Sequence, residues 1–191
     1  MQKKTIPLFI EPFDLYLFGK GEHWDLYRIL GAHPHRQDNV DGYRFAVWAP
    51  NAQEVNLVGE FNHWAWGELP FYPVGSSGIW AAFVPGMENN KLYKIGVKAS
   101  TGEIVYKSDP FAFFSEYRPG TASITCGLGT YTWNDSAWMS QRAAGGVHLE
   151  GAMSIYEVHA GSWRRHGDIV HPFYSFSELA ETLVTYVREM G

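Results

Sequence analysis

Cysteine is almost absent from this sequence: Cys126 is the one cysteine among 191 residues. A single cysteine cannot form a disulfide within the chain, and disulfides are typical of oxidising compartments. The N-terminus carries two lysines ahead of apolar residues, as a signal peptide does, but Pro7, Glu11 and Asp14 interrupt the apolar stretch. These features together predict a cytoplasmic protein.

Charged residues are also few, at 18% of the sequence, and 20 Asp and Glu stand against 15 Lys and Arg, for a net charge of -5. No basic run is longer than the pairs Lys3-Lys4 and Arg164-Arg165. Nucleic acids and anionic membranes attract clustered positive charge, so we expect neither as a partner. No apolar run approaches the ~18 residues of a membrane-spanning helix.

Motifs for cofactors and metals are missing as well. The chain contains neither the G-x-x-x-x-G-K-[ST] phosphate loop nor the G-x-G-x-x-G dinucleotide fingerprint. Its eight histidines are scattered, and the close pair His33 and His35 lacks the compact set of Cys, His or Asp partners that zinc requires. We therefore expect no cofactor and no metal site.

The sequence does hold many apolar residues, 46% of the total, arranged in short alternating runs. Between Tyr43 and Tyr131, glycine, proline and asparagine separate the runs YRFAVWAP, VNLVG, GIWAAFVPG and LYKIGV, and the last continues into EIVYK through a turn at residues 100–102. Several short strands at a spacing of roughly ten residues predict a mainly β protein with an immunoglobulin-like β-sandwich.

The segments before and after this β region have different patterns. Residues 1–40 form a predicted N-terminal extension, in which HWDLYRIL has the spacing of a short helix with Leu26, Ile29 and Leu30 on one face. The residues that follow this helix, GAHPHRQDNVDG, are rich in turn formers. Residues 132–150 have the composition of a linker.

The last segment, residues 151–191, predicts one strand and one helix. AMSIYEVHAGSW is rich in small and β-branched residues, which is typical of a strand buried on both faces. Ser175 and Glu178 have the S-x-x-E spacing of a capping box. The helix then has an apolar face that consists of Leu179, Leu183, Val184 and Val187. A βα unit leads to a neighbouring parallel strand, so we expect this α/β part to be incomplete as written.

Four segments together carry a family resemblance: YRFAVWAPNAQEVNLVGEFNHW, YKSDPFAFF, SIYEVHAGSWRR and SELAETLVTYVREMG. In this collinear order, from Leu26 to Gly191, the chain closely resembles bacterial glycogen branching enzymes of the α-amylase superfamily. The resemblance implies a family 48 carbohydrate-binding module over residues 41–131. It also implies the first βα unit of a truncated (β/α)8 barrel, with Ser154–Val158 as its first strand and Glu178–Met190 as its first helix.

The resemblance also implies an activity for the whole enzyme. The family transfers an α-1,4-glucan segment to a 6-hydroxyl and forms α-1,6 branches in glycogen biosynthesis, by a retaining route that needs two carboxyl groups. The family's catalytic carboxylates lie on later barrel strands, beyond Gly191, so no catalytic residue is predicted. We expect this N-terminal fragment of a glycosyltransferase to be inactive alone, and to be limited to binding glycogen or linear α-1,4-glucan.

Carboxylates that the chain does contain are poor candidates for a catalytic pair. Glu178 and Glu181 fall on a helix of the barrel-exterior type, and Glu157 lies within the predicted strand. Asp168 lies in the loop between this predicted strand and the helix. His159 and Trp163 lie in or just after the predicted strand. His159 either lies near the substrate, as the ends of barrel strands do, or bonds to neighbouring loops, and the second role is favoured.

The predicted glucan-binding residues are Trp64, Lys94 and Trp66. In the family, the tryptophan of the FNxW motif stacks on sugar, and Lys94 in the YK step matches a position whose ammonium hydrogen-bonds sugar hydroxyls. The structural alternatives are that Trp64 packs against Phe61 and that Lys94 faces water. This sequence departs from the glycogen-targeting pattern because the hairpin after Lys94 has no second tryptophan, and Trp66 is the candidate replacement.

Two other functions stay open at this point. One is a stand-alone glucan-binding or scaffold protein, in which residues 150–191 pack on the sandwich. The other is the N-terminal part of a related debranching or trehalose-releasing enzyme, although the YEVHAGSW form favours the branching type. In the leading hypothesis the missing remainder of the barrel is a further partner of this chain.

Overall fold

A computed structural model describes residues 9–129, 131–146, 151–152 and 154–190. The chain divides into two compact units, Met1–Thr132 and Trp133–Gly191. The first unit is mainly β, with two antiparallel sheets, and the second contains helices.

The first sheet has four antiparallel strands in the order β1-β2-β5-β4. The strands are β1 (Gly31–Gln37), β2 (Val40–Trp48), β4 (Tyr72–Pro73) and β5 (Ile79–Pro85). β1 and β2 form a hairpin whose turn residues, Asp38 and Asn39, both have positive φ. Asp and Asn tolerate this left-handed conformation better than most residues, which explains the tight turn.

The second sheet has five strands, with β6 at its centre. The strands are β3 (Glu54–Gly59), β6 (Leu92–Lys98), β7 (Ile104–Lys107), β8 (Phe114–Ser115) and β9 (Ser123–Ile124). β6 pairs with β3, β7 and β9, and β8 pairs with β9. The predicted hairpin is confirmed, because β6 and β7 pair across a turn in which Gly102 has a φ of 88°.

The core lies between the two sheets and follows from the alternation of the strands. Phe45 and Val84 project inward from the first sheet, whereas Leu57, Tyr93 and Ile95 project inward from the second, and all five are buried. The ring centroids of Phe45 and Tyr93 are 5.3 Å apart in an edge-to-face arrangement. The sandwich predicted from the sequence is therefore confirmed.

The N-terminal segment covers part of the outer face of the first sheet. Ile10, Ile29 and Leu30 pack with Ile79 and Ala81 in a second apolar cluster. Leu15 and Phe18 of helix α1 (Pro12–Lys20) pack against this cluster. The sandwich thus has a third layer over part of this sheet.

Two details of the predicted extension were wrong. The helix-like residues form only one 3₁₀ turn, Leu26–Arg28, and the helix of this region is α1, which the sequence pattern missed. Residues 31–37 form strand β1 instead of a turn. β1 lies at the edge of its sheet, where Pro34 can be accommodated because an edge strand leaves some N–H positions unpaired.

Arg44 of β2 holds the N-terminal segment against the first sheet through hydrogen bonds and a ring contact. Its guanidinium donates hydrogen bonds to the carbonyl oxygens of Ile29 (3.1 Å) and Arg28 (2.5 Å). The guanidinium also lies 4.7 Å from the centre of the Phe9 ring. Burial lowers the pKa of Arg44 to about 10, which leaves the group charged at neutral pH.

The second unit contains α2 (Ser136–Gln141), within the predicted linker, and α3 (Phe176–Met190). Ser175 and Glu178 form the predicted capping box, since the Ser175 N–H donates to Glu178 Oε2 at 2.8 Å and the Glu178 N–H donates to Ser175 Oγ at 3.3 Å. Leu179 is the buried member of the predicted apolar face. No helix of the described residues is long and apolar enough to cross a membrane.

The strand predicted at residues 154–158 is not formed, and Met153 before it lies outside the described residues. A strand is stable when a neighbour pairs with its backbone groups, and no segment of the described second unit pairs with 154–158. The helix of the predicted βα unit is therefore present without its strand.

Candidate functional site

The loop after β3 is shaped by the buried side chain of Asn62. Its Oδ1 accepts a hydrogen bond from the Gly59 N–H at 2.9 Å. Its Nδ2 donates to the carbonyl oxygens of Leu57 at 3.2 Å and of Ala65 at 3.1 Å. One side chain thereby ties both ends of the loop together, which is why the loop can be short and still hold a fixed shape.

The loop presents Trp64 in a backbone conformation that few side chains adopt. His63 and Trp64 both have positive φ, 51° and 60°. Two consecutive non-glycine residues in this region cost about 1 kcal/mol each or more, and such strain is concentrated at functional sites. The Trp64 N–H donates to the carbonyl oxygen of Gly59 at 2.8 Å, which holds the turn closed. The Trp64 side chain is 41% exposed.

Trp64 lines a pocket of about 210 Å³ together with Val58, Lys94 and Tyr106. We call these four residues the Trp64 pocket. Val58 and Lys94 are cross-strand partners on β3 and β6, and Tyr106 comes from β7. Their side chains lie on the outer face of the second sheet, because Tyr93 and Ile95, the neighbours of Lys94 in sequence, are buried in the core. Two of the three predicted residues thus come together.

Lys94 is held at the pocket by its own hydrogen bond. Its Nζ donates to Thr121 Oγ1 at 2.8 Å, and Thr121 precedes β9 in the same sheet. The ammonium has three donor hydrogens. Further donors can therefore point toward a ligand that lies on the pocket.

The ring of Trp66 lies near that of Tyr106, and its role in binding glucan stays a prediction. It is half-buried, and it does not line the Trp64 pocket. Its ring covers Gly96 of β6, where a Cβ would lie 2.8 Å from the nearest ring carbon of Trp66 and 3.2 Å from the ring of Tyr106. Gly96 therefore gives the Trp66 ring its space, and any larger residue there would displace the tryptophan.

Tyr106 is the residue that sequence reasoning missed. It is 47% exposed, and it lies opposite Gly96 in the register of β6 and β7. The sequence indicated that the hairpin lacks a second tryptophan, and in the structure Tyr106 supplies the second ring beside the pocket. The alternation of side chains along the hairpin could have identified Tyr106. It lies opposite Gly96, and Gly96 and Lys94 face the same side of β6 because they are two residues apart.

The lining of the Trp64 pocket is suited to binding and not to acid–base chemistry. It has no carboxylate, whereas glycosidic bond cleavage needs a pair of them. Two exposed aromatic rings can stack on a flat, weakly polar ring, and the ammonium can donate to hydroxyl groups. This arrangement fits a neutral sugar.

Two of the four candidate carboxylates of the second unit, Glu178 and Asp168, have structural partners. Glu178 accepts hydrogen bonds from Ser175 in the helix cap, and its Oε1 lies 3.3 Å from His166 Nε2. The hydroxyl of Ser175 is the main cause that lowers the pKa of Glu178 below its ordinary value. Asp168 Oδ1 accepts from the N–H of Val170 at 2.8 Å.

His159 and Trp163 are also bonded locally. His159 Nδ1 lies 2.8 Å from Ser162 Oγ, and the Trp163 indole N–H donates to the Tyr156 hydroxyl at 2.9 Å. These contacts fit the role of holding neighbouring loops. Across the residues that the structure describes, no group of three His, Cys, Asp or Glu side chains lies close enough to bind a metal ion.

Comparison with known proteins finds one family model and several similar enzymes. Residues 29–112 match the model of carbohydrate-binding module 48, the isoamylase N-terminal domain. The 1,4-alpha-glucan branching enzyme GlgB of Oleidesulfovibrio alaskensis is 57% identical over the whole chain, and that of Methylococcus capsulatus is 45% identical over 98% of it. Over its whole length the chain is thus similar to the N-terminal region of glycogen branching enzymes, and it contains a carbohydrate-binding module 48.

The chain spans about 30% of the length of the first of these branching enzymes and 25% of the second. Among solved structures, apo pullulanase from Paenibacillus barengoltzii matches 72% of the chain and 20% of its own length, at 23% identity and a TM-score of 0.48. The branching enzyme matches do not favour the two alternative functions that the sequence left open.

Proposed function

We propose that this chain binds α-glucan through the Trp64 pocket, as the carbohydrate-binding part of a glycogen branching enzyme. The observation that carries the proposal is the juxtaposition of two exposed rings, Trp64 and Tyr106, with the Lys94 ammonium on one sheet face. A glucosyl ring has apolar C–H faces that stack on aromatic rings and hydroxyl groups at its edge that accept from an ammonium. The matched relatives are named for action on α-1,4-glucan.

The roles of the three predicted residues differ in this proposal. Trp64 and Tyr106 each supply a stacking surface of about 1 kcal/mol beyond the area that they bury. Lys94 fixes the orientation of the sugar, since Thr121 already holds its Nζ in place. Trp66 supports the sheet face from its position over Gly96 and contacts glucan only at the margin of the site.

The whole protein would transfer an α-1,4-glucan segment to a 6-hydroxyl. In that protein, residues 154–158 and α3 would form the first βα unit of the catalytic barrel, with the rest of the barrel pairing along the strand. Support comes from the match of the entire chain to branching enzymes and from the apolar face of α3, where Val184 and Val187 are exposed. The carbohydrate-binding module would then hold the glucan chain near the barrel.

Electrophoresis through a gel that contains glycogen tests the binding proposal. We expect glycogen to retard the chain, and Trp64→Ala to abolish most of the retardation because the first ring is lost. Tyr106→Ala and Lys94→Met should each weaken it by about fivefold, the equivalent of roughly 1 kcal/mol. Tyr106→Trp should strengthen it, because a larger ring offers more stacking area.

Trp24→Ala is the matched control, since Trp24 is 91% exposed and lies in the N-terminal segment, away from the strands that form the pocket. If glycogen retarded Trp64→Ala as much as the original chain, the Trp64 pocket would not be the glucan-binding site. Iodine staining of linear glucan provides a second readout. We expect no branching by the chain, since the Trp64 pocket has no carboxylate and Glu178 and Asp168 are bonded locally. Branching activity in the pure chain would contradict this expectation.

A further inference from the structure

The β6–β7 hairpin leaves one edge of the second sheet open. β7 (Ile104–Lys107) pairs with β6 along one side, and along its other side lies no strand from the part of the chain that the structure describes. An open edge of this kind presents unpaired N–H and C=O groups, which can pair with a strand of another chain. We call residues 103–107 on this side the β7 edge.

The other edge strands of the sandwich are protected against such pairing. β1 carries Pro34, and β4 and β8 have two residues each. The free side of β3 is occupied by residues 69–71, which accept a hydrogen bond from the Leu57 N–H and donate one to the carbonyl oxygen of Val55. Prolines, short strands and covering loops are the usual protection of sheet edges. Within the described residues, the β7 edge has neither a proline nor a covering strand.

The main-chain groups that the β7 edge presents are those of Ile104 and Tyr106. The Ala99 N–H donates to the carbonyl oxygen of Glu103 at 2.8 Å, which makes residues 99 and 103 a hydrogen-bonded pair of the hairpin. Such pairs alternate with non-bonded pairs along an antiparallel ladder. The odd-numbered residues of β7 therefore bond to β6, whereas the N–H and C=O groups of Ile104 and Tyr106 point away from it.

The residues of this edge, Glu103-Ile104-Val105-Tyr106-Lys107, complement themselves when two copies run antiparallel. If Val105 lies opposite the same residue of a second copy, Ile104 lies opposite Tyr106, and the outward groups of these two residues bond to each other. Glu103 then lies opposite Lys107 at both ends. Pairs of opposite charge, and pairs of an aromatic with a β-branched residue, are the cross-strand pairs that stabilise antiparallel strands.

The charges at the two ends favour this single register. A shift by one residue would bring the outward groups of one copy opposite residues that already bond to β6, and a shift by two would separate Glu103 from Lys107. Charges of one sign keep sheet edges apart, whereas these two ends attract each other. Between them, the side chains of Ile104 and Tyr106 are 38% and 47% exposed, so the pairing also buries apolar surface.

We propose that two copies of this chain pair through their β7 edges and form a two-fold symmetric dimer with one continuous sheet. The symmetry axis passes between the two Val105 residues, perpendicular to the sheet, so the outer faces of both sheets lie on the same side. The interface is small, and specific interfaces below about 1,200 Å² are weak, so the dimer depends on concentration. The pairing does not depend on whether the Trp64 pocket binds glucan.

Sedimentation equilibrium of the chain, from roughly 10 µM to 1 mM, tests this proposal by measuring its mass. We expect the mass to rise from that of one copy toward that of two. Glu103→Lys and Lys107→Glu should each weaken the dimer about tenfold or more, because like charges then face each other at both ends. Glu68→Lys is the control for the change in net charge, since Glu68 is exposed and precedes β4 in the first sheet.

An equimolar mixture of Glu103→Lys and Lys107→Glu should dimerise again, because every end pair of the mixed dimer has opposite charges. The mixture also tests folding, since a variant that failed to fold would not pair. A chain that stays monomeric at all concentrations would overturn the proposal. A dimer that both charge variants leave unchanged, or a mixture that does not regain pairing, would overturn it too and place any association on another surface.

Disulfide trapping tests the register itself, in a chain with Cys126→Ser. Val105→Cys should form a cross-linked dimer on oxidation, because opposite Cα atoms of a non-bonded pair lie about 4.5 Å apart, within disulfide range. Ile104→Cys lies opposite Tyr106 and not opposite itself, so it should cross-link much less. Equal cross-linking of the two variants would contradict the proposed register.

Discussion

At the scale of single residues, Asn62 determines whether Trp64 can serve as a platform. The Asn62 side chain makes three hydrogen bonds, all to the main chain of the loop and of β3. Gly59, at the start of the loop, is equally constrained, since a Cβ there would lie 2.3 Å from the carbonyl oxygen of Leu92. Asn62 is thus a positioning residue, and the ring of Trp64 is the group that meets the ligand.

Asn62→Ala should therefore reduce stability and glucan binding together. Removal of a buried side chain that satisfies three main-chain groups costs about 2–3 kcal/mol in the free energy of unfolding, which urea denaturation measures. Glycogen retardation should fall toward that of Trp64→Ala, because the loop no longer holds the ring. Asn51→Ala, at an exposed turn, is the control. If Asn62→Ala bound glycogen as well as the original chain does, the hydrogen bonds of Asn62 would not be needed to position Trp64.

How far the sequence predicts the site also depends on single residues. Trp64 and Lys94 were found from motifs, and the structure brings them together. Tyr106 was not found, because a tyrosine in a strand is common and its place beside Trp64 depends on the register of β6 and β7. Trp66 was predicted to replace the second tryptophan; its ring covers Gly96, and its role stays a prediction.

At the scale of elements, the outer face of β1 joins the N-terminal segment to the sandwich. His33 and His35 lie on this face, where His33 Nε2 is 2.9 Å from the carbonyl oxygen of Leu30 and the His35 ring contacts Phe9. Burial is the main cause that lowers the pKa of both imidazoles below 6.5, and the Arg44 guanidinium lowers them further. Both imidazoles therefore favour the neutral form more than free histidine does.

The sign of the resulting pH dependence follows from proton counting. The unfolded chain binds protons at these imidazoles at a higher pH than the folded chain does, so acid favours the unfolded state. The stabilisation is fully present above pH 6.5, the ordinary pKa, and is lost as the pH falls below that value. We expect the urea midpoint of the original chain to decrease between about pH 7 and pH 5.

The double variant His33→Gln and His35→Gln should show a flatter pH profile over the same range, as measured by circular dichroism. His171→Gln, an exposed histidine of the second unit, should keep the original slope. Equal slopes in the double variant and the original chain would show that these two imidazoles do not couple to folding.

The elements themselves were predicted unevenly, for physical reasons. β2, β3, β5, β6 and β7 coincide with the short apolar runs that glycine, proline and asparagine separate, so their pattern was readable. β1 was not, since its histidines and Pro34 are typical of a turn and its strand state depends on pairing with β2. Residues 154–158 have a strand composition, but no described segment of the second unit pairs with them.

At the scale of the whole molecule, the two units differ in how well they bury apolar side chains. The sandwich encloses Phe45, Leu57 and Tyr93 completely, whereas Ile155 and Ile169 of the second unit are 84% and 94% exposed. Exposed apolar surface of this kind is characteristic of an interface. In the proposed whole enzyme, the rest of the barrel would cover it.

Hydrogen exchange monitored by mass spectrometry should reveal this difference. We expect amides of β2, β3, β5 and β6 to be strongly protected, because they are paired in ladders over a closed core. Amides of 154–170 should exchange quickly, since few of them take part in regular structure, and α3 should be intermediate. Protection of 154–170 equal to that of the sandwich would contradict this account and favour a self-sufficient small protein.

The central claim is that α-glucan binds on the outer face of the second sheet. The most direct measurement is a crystal structure of the chain with maltoheptaose. The account predicts one glucosyl ring stacked on Trp64, a neighbouring ring on Tyr106, and a sugar hydroxyl within hydrogen-bond distance of Lys94 Nζ. Maltoheptaose bound elsewhere, with Trp64 and Tyr106 free of sugar, would contradict it.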